Sequence, residues 1–159
     1  MKATADSVTF NGIDIELGKL KKNVVTCMQA ATAKKISLEN ELKSLFLDTG
    51  KGFYMLHLPG DKRVNFRAVK KYLKTKRVQL AKRDALDSFN CQPGTINPFS
   101  NEKLKSLPHL ISKEVFEKNM LSTNYGGTLR VYIKFHPELL DIVLEEEHIH
   151  IGRFAVDEN

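Results

Sequence analysis

Two prolines and a glycine fall within six positions of the stretch Asn90-Cys91-Gln92-Pro93-Gly94-Thr95-Ile96-Asn97-Pro98-Phe99, and they restrict the backbone tightly. Both prolines lock φ and lack a backbone donor, so neither belongs inside a helix or a central strand. Gly94 reaches positive φ and admits close approach to the main chain. Pro93-Gly94 reads as a type II turn. Such a segment is either a plain surface turn or a cradle. In a cradle, several backbone N–H groups face one concave side and hold a phosphate or a polarised carbonyl.

The 159 residues suffice for one domain with its own core, and residues 1–159 read as a single unit. The net charge of +6 is spread unevenly: Lys19 to Arg83 holds 17 Lys or Arg against four acids, whereas acids dominate from Pro137 onward. A basic half of this kind fits a polyanionic partner, nucleic acid first and an anionic membrane second, or a merely solvated lysine-rich surface. No apolar h-region opens the chain and no apolar run approaches membrane-spanning length, so a cytoplasmic protein with no membrane partner is expected. Cys27 and Cys91 are the only cysteines, expected as free thiols in a reducing compartment. Cys91 lies in the loop, either as a packed thiol or as a nucleophile, although no adjacent His supports the latter.

Met1 to Ser7 reads as a frayed start, and Ile13 to Leu17 as an alternating strand. Thr26 to Lys35 is helical in composition, with Thr26 as N-cap and an alanine-rich packing face. Glu41 to Leu47 and Phe53 to Leu58 read as strands joined by a turn at Asp48–Gly52. Lys43, lodged between Leu42 and Leu45, either reaches an anion or snorkels outward. Pro59 to Lys62 is a turn, and Asn65 caps a short helix. That helix carries Phe66, Val69 and Leu73 on one face and Arg67, Lys70, Lys71 and Lys74 on the other. Val78 to Ala81 is a short strand, and Asp84 to Phe89 a helical turn leading into the Pro/Gly loop. Asn101 to Leu107 and Lys113 to Lys118 look weakly helical. Asn124 to Gly127 turns into the strand Leu129–Phe135, and Pro137 opens a helix from Glu138 to Glu147. Strands mixed with short helices, without regular βαβ alternation, indicate an α+β fold.

Thr26…Ala30-Ala31 followed by Glu41-Leu42-Lys43-Ser44-Leu45 resembles the opening of the YbaK/prolyl-tRNA-synthetase-associated domain. Gly52-Phe53-Tyr54 through Leu58-Pro59-Gly60-Asp61-Lys62-Arg63 is similar to its strand-turn. The stretch Cys91 to Phe99 resembles its glycine-proline loop, and Asn124-Tyr125-Gly126 its "N-x-G" before the last long strand. The likeness runs from about Gly12 to Leu140. It implies a mixed, barrel-like β-sheet flanked by short helices. It also implies trans-editing, the hydrolysis of the ester joining a wrong amino acid to the 3′ end of a tRNA. By the same resemblance Lys43 contacts the substrate, while Gly94, Thr95, Ile96 and Asn97 supply backbone donors near the scissile carbonyl. Asn124, Gly126 and Cys91 border the substrate, and water attacks, assisted in some members by a hydroxyl of the terminal adenosine. Partners would be mischarged tRNA and an aminoacyl-tRNA synthetase. Arg67, Lys70, Lys71 and Lys74, sharing one helix side, are expected to meet the tRNA backbone.

The chain departs from that pattern at Asn97, where serine is frequent, at Ser100, where glycine is frequent, and at Ser112, where aspartate is common. These departures leave the edited amino acid open and admit a non-catalytic relative that binds tRNA or a synthetase. Among the histidines, His57 reads as a satisfied core or edge residue, and His109 and His136, each beside a proline, as turn residues. His148 and His150 after Glu145–Glu147 resemble a metal site only loosely, on an exposed tail. With no P-loop, Rossmann pattern, zinc CxxC pair or Ser/His/Asp arrangement recognisable, no cofactor or metal is expected.

Overall fold

The computed structural model describes residues 6–92, 94–99 and 101–158. Pro93, Ser100 and most of the frayed start expected at Met1–Ser7 lie outside the described residues. The chain opens on a hairpin, β1 (Ser7–Phe10) and β2 (Ile13–Lys19), whose turn residues Asn11 and Gly12 both have positive φ. Asn-Gly is the pair that favours such a turn, so the expected strand at Ile13–Leu17 has a partner that alternation alone did not reveal. Helix α1 (Cys27–Lys34) follows, and its capping box closes as Thr26 Oγ1 accepts from Gln29 N–H while the Gln29 side chain accepts from Thr26 N–H. It buries Ala30, Ala31 and Lys34.

Strands β3 (Leu42–Asp48) and β4 (Phe53–Pro59) pair antiparallel along their whole length, from Leu42↔Pro59 to Asp48↔Phe53. Their turn is fixed by Asp48 Oδ1, which accepts from Gly50 N–H, and by Thr49 Oγ1, which donates to Gly52 O. After β5 (Lys62–Val64), helix α2 (Phe66–Leu73) starts at its Asn65 cap, where Asn65 Oδ1 accepts from Ala68 N–H. Then come β6 (Gln79–Leu80), α3 (Arg83–Ser88), α4 (Glu102–Lys105), β7 (His109–Ser112), β8 (Leu121–Asn124), β9 (Val131–Phe135), α5 (Glu138–Val143), β10 (Ile149–Gly152) and β11 (Ala155–Asp157).

The strands form a mixed five-stranded sheet, ordered β10-β7-β4-β3-β6, an antiparallel four-stranded sheet, β1-β2-β9-β8, and a two-stranded ribbon, β11-β5. The architecture is mixed α+β, but the barrel-like closure expected from the resemblance is not seen: the sheets of the described residues stay open. β6 has only two residues and pairs β3 only at Leu47 and Asp48, and a single isolated bridge, Glu41↔Ser122, links the two larger sheets. No helix of the described residues is long and apolar enough to cross a membrane.

Side chains alternate across β3, so Leu42, Ser44 and Phe46 share one face and Lys43, Leu45 and Leu47 the other. Behind the sheet, Leu47, Leu56, Leu58 and Leu110 pack with Val69 of α2 and Phe154. In front, Phe46 and Met55 pack with Leu86, Cys91 and Leu104, while Leu42 and Ile111 join the four-stranded sheet's Leu121, Ile133 and Phe135.

Six strands, β1, β5, β7, β8, β10 and β11, were not expected from the sequence. At β7 only a turn at His109 was expected, yet it is a fully buried strand between β4 and β10, parallel to both. His109 is therefore not a turn residue but a core residue with no exposed surface. A short strand buried on both faces shows no alternation, and Pro108 before it simply holds the chain extended while its carbonyl accepts from Met55 N–H. The supposed tail at His148–His150 enters β10, and the helix from Pro137 stops at Val143 rather than Glu147, with a separate 3-10 turn at Glu146–His148. Lys113–Glu117 is likewise a 3-10 turn.

Candidate functional site

Because β6 covers so little of β3, the edge of β3 from Leu42 to Leu45 has no neighbouring strand among the described residues. It forms one wall of a cleft of about 380 Å³, lined also by Gly94, Ile96 and Asn124. The lining is mostly apolar, with Val24, Val25, Leu129 and Val131 opposite β3.

The Pro/Gly loop reaches this cleft as a clamped turn. Thr95 N–H and Thr95 Oγ1 both donate to Gln92 O, at 3.1 and 2.8 Å, and Gly94 takes a φ of +86°. A Cβ on Gly94 would meet Leu129 Cδ2 at 3.0 Å and Val25 Cγ1 at 3.3 Å, so a side chain here is both strained and crowded. Asn124 holds the turn: its Nδ2 donates to Gly94 O at 2.7 Å, and its Oδ1 accepts from Asn97 Nδ2 at 2.9 Å. Asn97, 1% exposed, also accepts at Oδ1 from Phe99 N–H. With the Gly94 carbonyl held by Asn124, the N–H groups of Gly94 and Ile96 take no acceptor among the described residues.

Of the residues singled out by sequence, Lys43, Gly94, Ile96 and Asn124 line the cleft, whereas Thr95, Asn97, Gly126 and Cys91 do not. Thr95 and Asn97 shape the loop from behind. Cys91 is buried, its thiol 3.7 Å from Gln92 O and Thr95 Oγ1, and burial pushes its pKa up, which suits the packed reading rather than a nucleophile. Gly126 sits in the exposed turn between β8 and β9 with φ +78°. Lys43 stands where the cleft meets a second recess bordered by Cys27, Gly60 and Glu158. Its ammonium donates to Lys62 O and lies 3.6 Å from the Glu158 carboxylate, so it is partly committed inside the protein. Ser112 is buried and donates to Glu114 Oε1.

Arg67, Lys71 and Lys74 are exposed on α2 and Lys70 is half-buried. That helix packs through Val69 on the rear of the five-stranded sheet, away from Ser44 and Phe46. Cations nearer the cleft are Lys21, Lys22, Lys82, Arg83 and Arg130, all exposed and within two residues of a lining residue in sequence. Glu145, Glu147 and His148 bring ligand atoms within 4.8 Å of one another on the surface, while His150 instead accepts from or donates to Tyr72 Oη at 3.0 Å.

Two polar groupings on the cleft side were not legible as sites. Lys34 Nζ donates to Glu41 Oε1 and to Ser122 Oγ, both at 2.8 Å, and sits 4.8 Å from the centre of the Tyr132 ring. Burial lowers the Lys34 pKa and raises that of Glu41, and their mutual attraction opposes both shifts. The second grouping runs through the core: Ser44 Oγ to His57 Nδ1 (2.8 Å), His57 Nε2 to His109 Nδ1 (2.9 Å), and His109 Nε2 to Lys105 O (2.9 Å). Burial, then the neighbouring His109, holds His57 well below its ordinary pKa, and burial lowers His109 to about 4. His57 is thus the satisfied core histidine expected from sequence. Ser44, its partner, lines the cleft. The only signal for this chain of groups is the cross-strand register Ser44↔His57, which requires the pairing to be known.

The family model for the aminoacyl-tRNA editing domain matches residues 21–132. Over 84 residues, 52% of this chain, the sequence is 31% identical to proline--tRNA ligase of Thermosipho africanus (strain TCF52B), of which the matched stretch is 15%. A crystal structure of a candidate trans-editing enzyme for prolyl tRNA synthetase superposes with a TM-score of 0.75 at 18% identity, covering 91% of this chain and 87% of that one. A solved hypothetical protein gives a TM-score of 0.76 at 19% identity, covering 91% and 93%. At these identities the structural likeness is one of fold. The family match spans α1, the β3–β4 hairpin, the clamped loop and Asn124, and on that ground the chain belongs to the aminoacyl-tRNA editing domain family.

Proposed function

We propose that this protein is an aminoacyl-tRNA deacylase that acts in trans, hydrolysing the ester of a mischarged tRNA. The observation that carries this reading is the meeting of Lys43, the Gly94–Ile96 turn and Asn124 around one apolar cleft of about 380 Å³. The aminoacyl group lies against the apolar wall. The ester carbonyl points at the free N–H groups of Gly94 and Ile96, which stabilise negative charge as water adds. Lys43, released from Glu158 by the arriving substrate, supplies positive charge at the cleft's edge. An aminoacyl ester is activated, so positioning and an oxyanion site supply most of what hydrolysis needs. The reaction takes place in the cytoplasm, with mischarged tRNA and a synthetase as partners.

The commitment of the Lys43 ammonium to Lys62 O favours a second reading, a relative that binds tRNA or a synthetase without turnover. Amino-acid release from a panel of mischarged tRNAs separates the two. Release from at least one, slowed about a hundredfold by Lys43→Met, is the expected result. Binding of tRNA with no release from any member supports the second reading.

A further inference from the structure

The Ser44–His57–His109 chain has a proton order that its end group dictates. The Lys105 carbonyl only accepts, so His109 carries its proton on Nε2 and donates outward. His109 is neutral, with its pKa near 4, which leaves Nδ1 as a lone pair that accepts from His57 Nε2–H. His57 is neutral as well, so its Nδ1 accepts, and the donor to it is the Ser44 hydroxyl. Every hydrogen bond therefore points from the cleft into the core. The lone pairs of Ser44 Oγ remain on the cleft side.

The sheet fixes this alignment. Ser44 and His57 are direct cross-strand partners on β3 and β4, so their side chains stand together on one face. On β7, Ile111 is the partner of His57, and His109, two residues earlier, shares that face. The two imidazoles lie nearly parallel, 15° apart with centroids 5.1 Å from each other. His57 has no exposed surface, so it communicates with the cleft only through Ser44.

We infer that Ser44, His57 and His109 form a proton relay that opens into the cleft at Ser44 Oγ, with Ser44 as a catalytic residue that receives the proton of the attacking water. This rests on the deacylase reading. As the water oxygen bonds to the ester carbonyl carbon, one water proton moves to Ser44 Oγ. The Ser44 proton moves to His57 Nδ1, and the His57 Nε2 proton to His109 Nδ1. Collapse of the tetrahedral intermediate breaks the bond to the ribose oxygen, and the reverse transfers return a proton to that oxygen. One water is consumed, and a free amino acid and a free ribose hydroxyl are released. His57 and His109 act through Ser44 and are positioning residues.

The test compares wild type, Ser44→Ala and Ser44→Thr on whichever mischarged tRNA the wild type hydrolyses fastest. Ser44→Ala should lower kcat about a hundredfold with KM little changed, while Ser44→Thr, which keeps the hydroxyl, stays within about tenfold of wild type. A folded Ser44→Ala protein that turns over like wild type, or a folded Ser44→Thr protein as slow as Ser44→Ala, overturns the relay and leaves the deacylase reading standing. A second measurement needs no turnover: nitrogen-15 NMR of the imidazoles should show both His57 and His109 as Nε2–H tautomers, with His57 Nδ1 shifting in Ser44→Ala. A proton on His57 Nδ1 overturns the relay by itself. Absence of release from every tRNA overturns the deacylase reading instead, and with it the catalytic role of Ser44.

Discussion

The two faces of the five-stranded sheet are built on different terms. At the centre of the rear, Leu47, Leu56, Leu58 and Leu110 pack against Val69 and Phe154 with almost no exposed surface. The front interleaves Leu42, Phe46, Met55 and Ile111 with Ser44, His57 and His109, and its neighbour toward the cleft is the Lys34–Glu41 pair. Apolar burial supplies most of the driving force for folding, so the rear is where the sheet is held together. Buried polar groups are tolerated only when paired, and both imidazoles on the front have a partner at each ring nitrogen. The front thus gives up apolar packing for a connected polar chain beside the cleft, the face on which the proposed chemistry would take place. The rear is organised for stability.

The largest effect should come from the front. Lys34→Met strands Glu41 in a site that is nearly closed to water, and loss of one partner from a buried pair costs about 3–5 kcal/mol. The double variant Lys34→Met/Glu41→Leu should recover most of that loss in urea unfolding. A single variant within about 1 kcal/mol of wild type would mean that water reaches the pair as it does a surface salt bridge. On the rear, Leu56→Ala should cost about 3 kcal/mol through lost transfer energy and a cavity, without altering the His57 and His109 tautomers. A tautomer change there would break the separation between the faces.

The faces should also separate by pH. His109 titrates near pH 4 in the folded protein against 6.5 in the free side chain, and His57 is lowered too. Between those values the unfolded chain binds more protons than the native one. The stability is fully present above pH 6.5 and is lost as pH falls through about 4, amounting for His109 alone to about 3 kcal/mol. Glu41, raised by burial, works in the opposite sense above 4.5, so the histidine contribution is best read as a difference between proteins. Wild type should lose stability from pH 6.5 to 5 more steeply than His57→Leu/His109→Leu, whereas Leu56→Ala should keep the wild-type slope. Equal slopes in wild type and the double-histidine variant would show the imidazoles to be protonated in the native state.

Local chemistry made part of this legible from sequence. Thr26 and Asn65 announce their helices because a cap is a contact between near neighbours, and the Asp48–Gly52 turn declares the hairpin around it. The glycine of the Pro/Gly loop needs positive φ whatever surrounds it, and Gly94 has it. The central strand His109–Ser112 stayed hidden because burial on both faces removes the alternation that marks a strand. Barrel closure was expected from a likeness of motifs, but closure depends on strand length, and a two-residue β6 cannot provide it. The polar chain was beyond reach for a related reason: Ser44, His57 and His109 are far apart in sequence and meet only through the register of three strands.

The smallest effect concerns the surfaces rather than the core. The basic side of α2 is displayed on the rear, while Lys21 and Lys22 stand on the segment whose Leu20 and Val24 line the cleft. A tRNA with its 3′ ester in the cleft brings its last phosphates to the cleft mouth first, and reaches α2 only by passing round the sheet's edge. Lys21→Glu/Lys22→Glu should therefore weaken tRNA binding more than Lys70→Glu/Lys74→Glu. The log–log dependence of affinity on salt should flatten by about two for the first pair and by less for the second, because each lost phosphate contact removes one counterion release. Amino-acid release at saturating tRNA should be unaffected in both. The salt titration decides between the faces. If the α2 pair flattens the slope as much as the cleft pair, the tRNA body wraps both sides of the sheet. If only the α2 pair does so, the acceptor end approaches from the rear, and the cleft in front is not where the ester is held.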